Sequence, residues 1–130
     1  MTLVQIVPAI LIASLFHALA LIIATKLMLE VPVKYGQAYK IVFLEYLAIA
    51  AVAAILGFAK LGGQAVAIVL CSFTYLLVGA ACIGRWISPS KGAPLGVGNG
   101  VLIQAIQIPL IVPVLILASF LIDLLQALSN

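Results

Sequence analysis

A chain of 130 residues that is 67% hydrophobic and 7% charged, with six basic and three acidic side chains, has too few charges to solvate a water-facing surface. A soluble domain carries about 25% charged residues, so the predicted solvent for most of this chain is lipid. The net charge of +3 is spread along the chain rather than gathered in a patch, which argues against nucleic-acid binding.

Lys26, Glu30, Lys34, Lys40, Lys60, Arg85, Lys91 and Asp123 punctuate apolar runs of about 23 residues (3–25), 19 (41–59), 24 (61–84) and 24 (99–122). A helix needs roughly 20 such residues to cross the hydrocarbon core. The pattern therefore predicts an all-α integral membrane protein with four transmembrane helices, over about 3–27, 41–59, 64–84 and 100–126. They are expected to form a single domain over 1–130, folded as an antiparallel up-down bundle. A membrane β-barrel is excluded, because it needs strands of about ten residues with alternating polarity and no run here alternates.

The first run has no Lys or Arg before it and is longer than the core of a secretory signal, so it is expected to be a permanent span. Pro8 suits its first turns. Ala9, Ala13, His17, Ala20 and Ala24 fall on one face. Small residues on a stripe let a neighbouring helix approach closely, so that face is expected to meet protein. His17 is expected to bond between helices rather than to serve as a proton relay or a lone axial ligand. One histidine cannot build a multi-histidine metal site.

Residues 28–40 read as an interfacial turn: Pro32 keeps Val31 out of helical geometry, Gly36 permits a bend, and Tyr35 and Tyr39 suit the headgroup level. In the second span Tyr46, Ala50, Ala53, Ala54 and Gly57 make another close-packing stripe. Glu45 is the acidic residue inside that span. A carboxylate at membrane depth suggests a proton or cation site. Its position one turn beyond Lys40 favours the plainer reading, a side chain that reaches back to the headgroups at a helix start.

Lys60 to Gly63 predicts a tight return, which makes the second and third helices antiparallel neighbours. Ala65, Ile68, Ser72, Tyr75, Gly79 and Ile83 share a face of the third helix, and Arg85-Trp86 marks its boundary. Cys71 and Cys82 stand eleven positions apart, about 16 Å along a helix axis, too far to pair. They read as small packing residues, and without a CxxC spacing thiol redox chemistry is not expected. Residues 88–98 form a Pro- and Gly-rich connector, expected to be flexible and solvated.

In the fourth helix Pro109 and Pro113 each remove a backbone hydrogen bond, freeing the carbonyls of Ala105 and Pro109. A break or kink is expected there, with Gln104 and Gln107 on one face beside it. Amides at a broken helix line midplane sites in transporters; a kink that fits a partner, with the glutamines bonding across helices, is the competing reading. Asp123 is expected to reach the opposite interface.

In length and helix number the chain resembles the small multidrug transporters, which place an essential acid inside the first helix. Here the first helix carries His17 and the acid sits in the second, so no residue role carries over. Soluble-enzyme motifs are missing: GVGNG at 96–100 lacks the phosphate-loop spacing. No cofactor or metal is expected. Five basic residues border the first and third connections and one, Lys60, borders the second, which predicts cytoplasmic long loops and both termini on the other side, in a bacterial inner membrane.

Small-residue stripes on several helices exceed what one bundle needs. The leading expectation is therefore an accessory subunit of a larger membrane complex, packed against lipids and against other integral subunits or copies of itself. The alternative is a small homo-oligomeric channel or proton- or ion-coupled carrier that uses Glu45, His17 and the fourth helix.

Overall fold

The computed structural model describes residues 3–60, 63–89 and 93–129, with the side chains of 3–7, 9, 114, 115 and 117–129 outside that description. The described residues form four helices: α1 (Leu3–Leu29), α2 (Tyr35–Ala59), α3 (Gln64–Trp86) and α4 (Val97–Ser129). Three of them, α1 to α3, are long and apolar enough to cross a membrane, and α4 contributes a described apolar stretch over Val97–Pro113. Asp123 and Lys91 lie outside the described side chains.

Local chemistry sets the helix ends. Glu30 takes a left-handed backbone, φ 53°, which stops α1, and Pro32 then keeps its predecessor extended. α2 begins at Tyr35 rather than at 41. Beyond Pro32 the segment YGQAYK holds no further breaker, and Gly36 is absorbed in the first turn. This early start is tied down twice, by Tyr35 Oη donating to the Leu15 carbonyl at 2.9 Å and by Gln37 Nε2 donating to the Trp86 carbonyl. Lys60, φ 48°, ends α2, with its N–H turned back onto Leu56 and Gly57. α3 stops before Pro89 for the reason α1 stops before Pro32.

α4 begins at Val97, three residues before the expected start, and the end of the preceding connector is pinned rather than free. Leu95 N–H donates to the Ile87 carbonyl at 3.1 Å and Gly96 N–H to the Gly84 carbonyl at 2.9 Å. Gly96 has φ 81°, a conformation that favours glycine. The helix then runs through Pro109 and Pro113 without interruption, which corrects the expected break. Each proline lacks one N–H, and one missing bond does not end a helix that its neighbours hold.

The helices form a ring in which α1 packs on α2 and α4, and α3 packs on the same two. α3 and α4 are antiparallel, because Gly84 meets Gly96 while Ala80 meets Gly100. A Cβ at Gly84 or Gly100 would collide with the facing backbone, so these helices touch main chain to main chain. That is the close approach expected of small residues in lipid.

Packing is concentrated at one end. Ala18, Leu21, Ala24, Ala38, Ile41, Val42, Ile83, Ile87 and Ile103 form the core, where α2 begins and α3 ends. Toward the α2–α3 return the two helices lose their cover: Phe58 is 91% exposed, and Ala54 and Gly57 are exposed, with open space where a Cβ at Gly57 would stand. Among the described residues, Ala54 and Gly57 are therefore left uncovered. Ala50 is half-buried and Gly79 is buried.

Candidate functional site

Above the apolar core lies a polar layer to which every helix contributes. His17 and Ser14 come from α1, Glu45 and Tyr46 from α2, Tyr75 from α3, and Gln104 and Gln107 from α4. Helical spacing explains the convergence. Gln104 and Gln107, three apart, share the face of α4 that also buries Ile103 and Gly100, and Glu45 follows Ile41 and Val42 on the inward face of α2. His17 lies on the buried α1 face with Ala20 and Ala24 of the small-residue stripe, and the bulky Leu21, which the stripe did not include, is buried there too.

Glu45 is fully buried. It does not reach the headgroups, which overturns the interfacial reading. The reason is its partner: Gln104 Nε2 donates to Glu45 Oε1 at 2.8 Å. The same amide lies 3.3 Å from the Tyr75 carbonyl. Gly79 makes this bond geometrically possible, since a Cβ there would overlap the Gln104 amide and crowd Glu45 Oε1. Gly79 is thus a packing residue, as expected, and its specific task is to leave room for a polar pair.

Tyr75 links the rest. Its hydroxyl lies 3.2 Å from His17 Nε2 and 3.4 Å from Gln107 Oε1. The His17 ring stacks on Tyr75, with centroids 5.8 Å apart, and meets Tyr46 edge-on at 5.6 Å. The interhelical role expected for His17 is what the structure places there. Gln104 and Gln107 both bond across helices, to Glu45 of α2 and Tyr75 of α3.

Among the described residues four buried polar atoms have no protein partner: Glu45 Oε2, His17 Nδ1, Gln104 Oε1 and Gln107 Nε2. An unpartnered buried polar atom is expensive, and four in one layer mark it as unusual. Glu45, His17, Tyr46 and Tyr75 also line a cavity of about 440 Å³. Its other walls are largely apolar, with Ile49, Leu76, Ile108 and Ile111 among them, and its rim carries the exposed Ser72 and Val112. Among the described residues no Lys or Arg lines it. Cys71 lines the cavity and Cys82 does not; both are free thiols. Among the described residues no three His, Cys, Asp or Glu side chains come together to hold a metal.

Ser14, Tyr46 and Tyr75 are the members that the sequence did not assign to the site, and the two tyrosines carried a signal. The available signal was their depth. Tyrosines of a membrane helix concentrate at its ends, and Tyr75 sits at the centre of α3, where a hydroxyl needs a protein partner.

Comparison with protein-family models, curated proteins and solved structures finds no match for this chain.

Proposed function

We propose that the chain is an integral membrane protein of four spans, with α4 as the fourth, and that it carries a positively charged solute or a proton through a site centred on Glu45. The observation that supports this is the buried Glu45 carboxyl group on the wall of a cavity of about 440 Å³, with one oxygen unpartnered and no Lys or Arg among the described lining residues. A carboxylate at membrane depth is costly and marks ion or substrate pathways. A proton or a bound cation offsets the charge, and either can leave.

The two longer connections, with five of the six basic residues, then face the cytoplasm, in a bacterial inner membrane. Currents from proteoliposomes on a solid support, after a jump in proton or organic-cation concentration, test the reading. Wild type is expected to respond and Glu45→Gln to lose at least nine-tenths of the signal. A wild-type response no larger than that of empty liposomes refutes it.

A second reading is supported by a different feature. The exposed tip of α2 and α3, with Ala54, Gly57, Phe58 and Val66, offers small and apolar surface to another membrane helix, as an accessory subunit or a copy of the same chain does. Native mass spectrometry after gentle extraction decides it: larger partner subunits favour the accessory role, whereas the chain alone or in a closed homo-oligomer favours the carrier.

A further inference from the structure

The polar layer also restricts the chemistry of what it holds. Gln104 must direct its amide N–H toward the Glu45 carboxylate, because a carboxylate only accepts, and this leaves Gln104 Oε1 as an acceptor without a donor. Tyr75 has one hydroxyl proton to share between His17 and Gln107. If it goes to Gln107, a neutral His17 donates from Nε2 and its Nδ1 is a bare acceptor, while the Gln107 amide N–H is left over. If it goes to His17, Gln107 turns its amide to donate to Tyr75; its carbonyl is then left over and His17 Nδ1 carries the spare proton.

With Glu45 ionised, both assignments leave the same inventory: three acceptors, among them Glu45 Oε2, and one donor. The layer is short of hydrogen-bond donors as well as of positive charge. A protonated amine supplies both, with up to three N–H groups on one cationic centre. A quaternary ammonium supplies the charge alone.

The cavity argues for an organic body on that amine. Its volume of about 440 Å³ falls within the range of about 300–1,000 Å³ typical of pockets that enclose small molecules. Its walls, among them Ile49, Leu76, Ile108 and Ile111, are apolar, whereas a bare metal ion is held by a cage of several polar ligands. The tyrosine rings at 46 and 75 add faces that attract a cation.

We infer that the cavity between the helices binds a primary or secondary ammonium ion with an apolar body, its N–H groups directed to Glu45 Oε2 and the His17 side of the polar layer. The inference rests on the carrier reading and names its substrate class.

Calorimetric titration of the purified full chain in lipid nanodiscs tests it, with 2-phenylethylammonium, its N,N,N-trimethyl analogue and neutral 2-phenylethanol as probes. The primary ammonium is expected to bind saturably, and the other two at least tenfold more weakly. Glu45→Gln is expected to weaken the primary ammonium at least tenfold. Because Glu45 is buried, a second variant guards against misfolding: Val112→Trp, on the exposed rim, narrows the cavity without touching the polar layer and is expected to abolish binding. Equal or tighter binding of the trimethyl analogue overturns the inference, as does undiminished binding by Val112→Trp. Proton-evoked, Glu45-dependent currents with no binding of any of the three probes overturn the amine class while leaving the carrier reading in place; loss of both signals removes both.

Discussion

Gln104 on α4 reaches Glu45 on α2 at 2.8 Å by passing over Gly79 of α3, which has no side chain to block it. One bond thus joins three helices, and its parts lie 25 to 59 residues apart in sequence.

Gly79→Ala is expected to displace the Gln104 amide and lower stability by about 1–3 kcal/mol, the usual range for overpacking. Thermal unfolding of the purified protein in detergent measures it. Gly57→Ala, where the added methyl meets open space, is the matched control and should stay within about 0.5 kcal/mol of wild type. Equal losses at the two glycines contradict the geometry.

Gly100→Ala is expected to destabilise at least as much as Gly79→Ala. At Gly79 the obstacle is a side chain, which can rotate; at Gly100 it is the main chain of Ala80, so α3 and α4 must separate. The same unfolding experiment checks the ranking, and a milder effect at Gly100 argues against main-chain contact there.

Gln104→Leu leaves the Glu45 carboxyl group without its side-chain donor and is expected to lower stability by about 1–3 kcal/mol. Combining it with Glu45→Leu removes both partners and should recover at least about 1 kcal/mol, since two apolar groups leave nothing unsatisfied. A strictly additive pair in the double-mutant cycle shows that the two side chains do not interact.

Lys60→Gly is expected to raise stability by about 0.5–1 kcal/mol. Lys60 holds φ 48°, a left-handed conformation that costs an L residue roughly 1–2 kcal/mol, and the greater freedom of glycine in the unfolded chain returns part of the gain. Unfolding of this variant below the wild-type temperature counts against a left-handed cap at this position.

Much of the fold was legible because lipid imposes simple rules. Long uncharged runs had to become helices, since a helix alone satisfies its own backbone in hydrocarbon, and prolines at 32 and 89 separated them. Other features misled. Gly36 looked like a bend and is the first turn of α2, because glycine permits a bend without requiring one. Pro109 and Pro113 looked like a break and lie inside a continuous helix. Ala54 and Gly57, expected to pack, are exposed among the described residues and so are open to a helix of another chain; a stripe of small residues records that close approach is possible and not which surface approaches.

For the candidate site, the sequence by itself singled out His17, Glu45, Gln104 and Gln107, because each interrupts an apolar run. It did not determine their company. Glu45 sits one turn beyond Lys40, so local spacing pointed it toward the headgroups, and only the packing of α4 against α3 across Gly79 turned it inward to Gln104. Depth is a property of distance along one helix and can be counted. Partnership depends on the rotation of four helices about their own axes, which contacts between distant residues decide together. The tertiary structure alone therefore assembled the polar layer and set the cavity beside it.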